Sequence, residues 1–442
     1  MNRVARWISE RLNLPPILHH LLEEPIPGGA SWIYIFGSVT LFLFVSQAIT
    51  GAFLALYYAP TPDHAFDSVH FIQEEVPFGS FVRGLHHWGA SAMMIAIGLH
   101  MSQVYLYGAY KPPREPMWIA GVFLLLLTLA FGFTGYLLPW DQTAYWATQV
   151  GINLVGTVPW IGAPLARILR GGTELGALTL NRFFAIHTLF LPWSIVILIA
   201  AHLFILRRVG AAGPWDEARA KKSSEPFYPK QVFVDAVAIG VVFIGLALVA
   251  ILVPAHLADR ANPIDNTFRP VPEWYFLFYY QLLKYSTGAW ELIVTFVLPV
   301  LFIGLLFAIP FLGRTCERTP ARRPVAIGGG AIFLAFVFTL LGIAVKQNLA
   351  VALSDPSAVH GKALFEKLNC AGCHRIHGTG AEVGPDLSYE GDTRTGDWLI
   401  AHFKDPQKMS PGSIMPAFHF NSQQMEDLTR YMLSLKKGLK TG

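Results

Sequence analysis

Residues 80–107 read SFVRGLHHWGASAMMIAIGLHMSQVYLY, and residues 181–206 read NRFFAIHTLFLPWSIVILIAAHLFIL. Each is an apolar run of membrane-spanning length with two histidines inside it, His86 and His100 in the first, His187 and His202 in the second. Ionisable side chains are costly in hydrocarbon, so their presence there points to a function. The first pair is fourteen residues apart. That is about four helical turns, so both rings share one face roughly 21 Å apart along the axis. The second pair is fifteen apart, which turns one ring about 60° further on an ideal helix. Pro192 lies between them as a plausible local distortion. Two helices so equipped can sandwich two haems, one near each membrane surface, each held by one imidazole from each helix. The bland alternative, four buried and hydrogen-bonded histidines, leaves the matched spacings unexplained.

The rest of the chain fits that setting. Of its 442 residues 53% are hydrophobic and 14% charged, too few charges for an ordinary soluble protein. Apolar runs near 31–58, 80–107, 117–138, 181–206, 232–254, 290–312 and 325–346 predict an all-α membrane protein with seven transmembrane helices. Gly37 and Gly51 on the first, and Gly121 and Gly135 on the third, repeat the fourteen-residue spacing. Glycines leave room where a flat porphyrin edge meets a helix, although ordinary helix packing uses them too.

Lys and Arg collect in the N-terminus (Arg3, Arg6, Arg11), at Lys111 and Arg114, between Arg207 and Lys230 (with Arg208, Arg219, Lys221 and Lys222), and between Arg314 and Arg323. Alternating loops place all of these on one side, the cytoplasmic one by the positive-inside rule. The acidic loop with Asp63, Asp67, Glu74 and Glu75 then faces out. Seven spans put everything after Val345 outside. The net charge of +4 is spread over these loops, so it speaks for topology and not for nucleic acid. Residues 1–30 read as an amphipathic surface helix without the pattern of a cleavable signal peptide.

Four segments follow: the surface helix at 1–30, a four-helix dihaem domain at 31–215, a three-helix domain at 216–350 and a small all-α domain at 351–442. The last contains Cys370-Ala-Gly-Cys373-His374. Two thiols at this spacing can form thioethers to both vinyl groups of one haem, and the next histidine supplies an axial nitrogen. A zinc or redox cysteine pair is the bland reading. Met415, in Ser-Ile-Met415-Pro416-Ala-Phe418 about forty residues on, is the expected second axial ligand. Met409 is its rival, and Met425 falls on a terminal helix. His377, His402 and His419 read as solvated. In size and motif order this domain resembles small class I cytochromes c.

His86-His87-Trp88-Gly89 leading to His100, Gly135-Tyr136-Leu-Leu-Pro139-Trp140, Arg182-Phe-Phe-Ala-Ile-His187 leading to His202, and Pro272-Glu273-Trp274-Tyr275 resemble the cytochrome b subunit of the quinol-oxidising cytochrome bc complexes. The resemblance covers about residues 25–345, with its motifs in family order. The fifteen-residue spacing and the absence of an eighth span resemble the photosynthetic branch, where a four-helix cytochrome b and a three-helix subunit are separate chains; here the two are fused.

The resemblance implies two haem b groups, one held by His86 and His187 nearer the outer face and one by His100 and His202 nearer the inner face, plus haem c on Cys370, Cys373, His374 and Met415. Arg83 and Arg182 are candidates for haem propionates. Arg207 and Arg208 serve either the inner haem or positive-inside anchoring. In the outward loop, Glu273 is the candidate proton acceptor for quinol, with Tyr275 assisting, Pro272 shaping the turn and Trp274 beside them, ahead of the aromatic stretch Phe276–Tyr280. Gly151–Gly172 resembles the short outer helices that wall this pocket. On the inner face Asp235 either delivers protons to a second quinone or simply favours a helix start.

The implied activity is that of a quinol–cytochrome c oxidoreductase, or one with another high-potential acceptor. It uses bifurcated electron transfer coupled to proton translocation, in a dimeric complex of the bacterial cytoplasmic membrane. The three cysteines are Cys316, Cys370 and Cys373, so the Rieske iron–sulfur protein must be a partner, and Cys316 reads as a plain thiol. A further haem c subunit or a soluble cytochrome is a possible additional partner. One departure stands out. The stretch Ser31–Gly37 has no cysteine, where the photosynthetic branch and many Gram-positive relatives attach an extra haem, so no covalent haem is expected at the inner quinone site. A passive haem-bearing anchor and a proton-relaying transporter are the competing classes. Pro272–Tyr275 argues against the first, and the haem c motif against the second.

Overall fold

The computed structural model describes residues 3–11, 22–215, 220, 222–263, 268, 270–286, 288, 290–313, 315–353 and 355–436. Arg219, Lys221, Arg314 and residues 12–21 of the expected surface helix lie outside them. The described part of that helix is α1 (Arg3–Arg11), with Arg11 over the Trp7 ring. The chain continues through α2 (Ile35–Ala55), α3 (Ala65–Glu74), α4 (Gly79–Leu106), α5 (Glu115–Tyr136), α6 (Gln142–Gly156), α7 (Gly162–Arg170) and α8 (Ala177–Val209). After it come α9 (Val232–Leu252), α10 (Trp274–Lys284), α11 (Trp290–Leu312) and α12 (Pro324–Leu353). The small domain has α13 (Pro356–Lys367), α14 (Gly396–Lys404) and α15 (Ser422–Ser434). A two-residue antiparallel ladder pairs Pro25–Ile26 with Glu225–Pro226.

Six of these helices are long and apolar enough to cross a membrane. The second expected span, α4, has 28 residues, about 42 Å at 1.5 Å per residue and ample for a hydrocarbon core of about 30 Å. It is less apolar than the others because it carries Arg83, His86, His87 and His100. Large apolar side chains such as Ile197, Val241, Leu301 and Phe338 point outward, which water would penalise and lipid does not. The protein is an integral membrane protein. One difference from expectation lies at the last span. The helix expected to end near residue 346 continues to Leu353, since no Gly or Pro interrupts residues 346–353.

Two compact units divide the chain, one of residues 1–140, 144–255 and 286–335 and one of 141–143, 256–285 and 336–442. In the first, Val39 and Leu43 of α2, Leu85, Met93 and Ile97 of α4, and Ala238, Leu246 and Ala250 of α9 form a buried core. Gly84 lets α4 and α9 meet: a Cβ there would lie 3.0 Å from the Ala250 Cβ. In the second unit, α13 crosses α15 at Gly361, where a Cβ would fall 1.9 Å from the Asp427 carbonyl oxygen. Phe365 and Tyr431 meet edge to face beside this crossing, above a core of Leu399, Phe403, Leu428 and Met432.

Candidate haem and quinol sites

The two histidine-bearing helices bring their rings together in pairs. The His86 and His187 ring centroids are 6.4 Å apart, a gap that one metal atom with two metal–nitrogen bonds of about 2 Å would span. His100 has His202 as an electrostatic neighbour. Each of the four expected glycines backs onto one of these rings. The Cβ that Gly51 lacks would lie 3.0 Å from His86 Cε1, and that of Gly135 2.7 Å from His187 Cε1. At Gly37 and Gly121 the corresponding distances to His100 and His202 are 3.8 and 3.7 Å. Gly51 and Gly135 make room for an imidazole on the neighbouring helix, whereas Gly37 and Gly121 face their rings at ordinary contact distance.

The fifteen-residue interval on α8 has a local cause. Residues Ile186–Phe190 form a π turn, with the Leu191 N–H bonded to the Ile186 carbonyl. A π turn holds about one residue more than an α turn, so it absorbs the extra residue between His187 and His202. Pro192 follows at once; its missing N–H and its ring clash favour a widened turn at this point.

Hydrogen bonds assign the proton on one pair of rings. Thr50 Oγ1 donates to the Ser46 carbonyl at 2.7 Å and lies 3.0 Å from His86 Nδ1. Thr134 Oγ1 donates to the Ala130 carbonyl at 2.8 Å and lies 3.1 Å from His187 Nδ1. With each hydroxyl proton committed to its own helix, the threonine accepts from Nδ1–H, and Nε2 keeps its lone pair for a metal. Among the described residues the buried Nδ1 atoms of His100 and His202 have no hydrogen bond of normal geometry.

The small domain repeats this logic. His374 Nδ1 lies 2.9 Å from the Pro385 carbonyl, which can only accept, so Nε2 is again the free nitrogen. Gly384 backs the ring, since a Cβ there would be 2.7 Å from His374 Cε1. Cys370 begins and Cys373 caps a single 3₁₀ turn (Cys370–Gly372), and neither is in a disulfide. Met415 packs against the domain core along with Cys370 and Ala371, whereas Met425 is one of the buried residues of that core. Met409 ends the short helix Pro406–Met409. His377 and His419 are exposed. His402 departs from expectation: its ring stacks on Trp398 at 4.7 Å and its Nδ1 is buried without a partner.

Glu273 is the residue immediately before α10, in extended conformation with ψ near 150°. Burial pushes its carboxyl above the usual range, and burial together with Glu273 pushes the Tyr275 phenol up as well. Trp274, Tyr275 and Phe276 form a run of touching rings. A half-buried carboxyl beside aromatic rings can accept a proton from an apolar hydroxylated ligand.

Residues 21–210 match the family described as Cytochrome b/b6/petB, 260–354 match Cytochrome b(C-terminal)/b6/petD, and 358–436 match Cytochrome c. A cytochrome bc complex cytochrome b subunit from Chlorobaculum thiosulfatiphilum is 38% identical over 340 residues, covering 76% of this chain and 79% of that one. The chain belongs to the cytochrome b family of the bc complexes. A menaquinol:cytochrome c reductase cytochrome b subunit from Geobacillus thermodenitrificans is 43% identical over 222 residues, 48% of this chain and 99% of its own. The solved structure of a hyperthermophilic respiratory Complex III aligns with a TM-score of 0.70 at 29% identity, covering 77% of this chain and 91% of that one.

In this cytochrome b, Arg83 is buried and donates to the Gln73 side chain and to the Ala255 carbonyl, tying α4 to α3 and to the end of α9. Arg182 is exposed and donates to the Ile168 carbonyl. Arg207 pairs with Glu24 at 3.3 Å. Asp235 is buried on α9, where Ser38 Oγ and Gln231 Nε2 each donate to it at 2.8 Å. Gln231 in turn accepts the Ser31 N–H at 2.8 Å, so Asp235 ends a polar chain across α2 and α9. Cys316 is exposed. Thr50 and Thr134 escaped the sequence reading, although each directly precedes one of the spaced glycines.

Proposed function

We propose that this chain is the cytochrome b/c fusion subunit of a quinol:cytochrome c oxidoreductase, or of one with another high-potential acceptor. It oxidises quinol at the outer membrane face with bifurcated electron transfer and proton translocation. The observation that carries this reading is the half-buried Glu273 carboxyl on the aromatic helix start, in a chain that also carries two pairs of membrane histidines and a haem c motif. The menaquinol named for the Geobacillus relative supports a quinol as reductant.

His86 with His187, and His100 with His202, would each hold a haem b. Cys370, Cys373, His374 and Met415 would hold haem c. When bound, these groups supply one-electron carriage. The four glycines keep the imidazoles free to approach, and Thr50 and Thr134 hold two of them with Nε2 unprotonated. Glu273 takes a quinol hydroxyl proton on its carboxylate; Tyr275 assists, Pro272 sets the extended approach and Trp274 excludes water. Asp235, held by Ser38 and Gln231, delivers protons on the inner side. A Rieske iron–sulfur protein is the partner that the three cysteines of this chain cannot replace, and the complex is a homodimer in the bacterial cytoplasmic membrane with the cytochrome c domain outside.

Glu273→Gln is expected to slow quinol oxidation about 100-fold in steady-state assays of the purified complex while leaving its b and c haem content intact; an unchanged rate refutes the assignment. A carboxyl raised by burial is protonated, and useless as a base, at low pH. The wild-type rate should therefore climb with pH through a midpoint above the ordinary carboxylate range, and the Gln variant should lose that limb. Oxidant-induced reduction of the b-type absorbance, in the presence of an inner-site inhibitor, separates bifurcation from a passive anchor.

A further inference from the structure

The segment before Pro272 holds one carboxylate in an unusual place. Asp259 lies on backbone that is tied down on each side. Its own carbonyl accepts the Gln142 N–H at 2.7 Å, the Ala258 N–H donates to Asp141 Oδ2 at 3.1 Å, and the Asn262 N–H donates to Gln142 Oε1 at 2.7 Å. Asp141 and Arg260 form an isolated antiparallel bridge, and Leu257 is buried. Such a segment has little freedom to redirect its side chains.

From it the Asp259 side chain reaches the small domain, 137 residues on. Oδ1 accepts the Gly396 N–H at 3.0 Å, and the Asp397 N–H is a second donor to the carboxylate. These are the first two residues of α14, whose N–H groups have no partner within the helix. The N-cap Thr395 serves only the next donor, the Trp398 N–H at 3.3 Å. Asp259 therefore completes the cap from outside, where the helix dipole favours a negative charge. The approach depends on glycine: a Cβ at position 396 would lie 2.8 Å from Asp259 Oδ2. Asp397 opposes the carboxylate by charge and Arg430 of α15 attracts it.

We propose that residues 256–262 are a docking surface for the chain's own haem c domain, with the Asp259 carboxylate capping α14 as its latch. The domain then has two attachments, the covalent one through α12 and a non-covalent one to the loop that leads into Pro272–Tyr275. A latch of one carboxylate on two amides is small and charge-assisted, which suits reversible docking better than a permanent fusion of the two surfaces.

The test uses the purified, haem-loaded complex. In Asp259→Ala, hydrogen exchange in a peptide spanning 394–398 should quicken at least ten-fold. The Leu399 amide, which bonds within the helix to the Thr395 carbonyl at 3.0 Å, should keep its rate. Asp259→Asn retains an acceptor without the charge and should fall between, which keeps the test open if the alanine variant fails to assemble. A double variant, Asp259→Cys with Gly396→Cys in a Cys316→Ser background, should yield a disulfide-linked peptide pair in most of the complex. Unchanged exchange in both single variants, or two cysteines that label with maleimide as fast as either alone, overturns the proposal.

Discussion

The two histidine pairs of the membrane bundle are built from the same spacing and finished differently. At His86 and His187, threonine hydroxyls fix Nδ1 as a donor and glycines press to within 3.0 and 2.7 Å of the rings. At His100 and His202 no hydroxyl among the described residues reaches Nδ1, and the glycines stand back at ordinary contact distance. One pair has its tautomer set by threonine hydroxyls; the other lacks that support. A ligand nitrogen backed by a hydrogen bond is more basic and more rigid than one without, so under the proposed ligation two bis-histidine pairs would not give equal iron centres.

The strongest way to break this comparison is to remove a ring from each pair. His187→Ala and His202→Ala should each cost one haem b, moving the b-to-c ratio in a pyridine haemochrome assay from two-to-one to one-to-one. A ratio that stays at two-to-one in either variant removes that residue from the ligand set. Next comes the crowding difference. Gly135→Ala must push a Cβ into the His187 ring and should destabilise the bundle by about 1–3 kcal/mol. Gly121→Ala meets His202 at normal contact and should cost far less, a contrast that thermal unfolding followed at the haem absorbance will resolve. The smallest effect belongs to the hydroxyl. Thr134→Val removes the acceptor from His187 Nδ1 and makes Nε2 less electron-rich, so the midpoint potential of that haem should rise on the order of 40 mV, equivalent to roughly 1 kcal/mol. A redox titration that moves both b haems equally would mean that the threonine acts through general packing.

Several parts of this picture were legible in the sequence. The spans follow from apolar length, and the paired rings follow from intervals close to whole helical turns. Glu273 was found through its motif, and the structure adds that it is half-buried at a helix start. Other features depend on partners far along the chain. The Arg83 guanidinium is committed to Gln73 and to Ala255, one of them 172 residues away, which no local pattern announces. His402, read as solvated, is stacked on Trp398, since a spacing of four on α14 matters only once the domain core fixes which face is covered. The π turn had a visible hint in Pro192, but its effect, returning His202 to the side of His187 that a regular helix would miss, needed the backbone.

The sequence by itself determined the class of the protein, its spans, the two histidine-bearing helices and the haem c motif. Each of these is written in local composition or in a short interval, and local steric and hydrophobic preferences act within a few turns. The tertiary structure alone decided which nitrogen of His86, His187 and His374 is free, which glycine backs which ring, and that Asp259 caps a helix 137 residues away. Those outcomes turn on distances of a few tenths of an ångström between groups that only packing brings together.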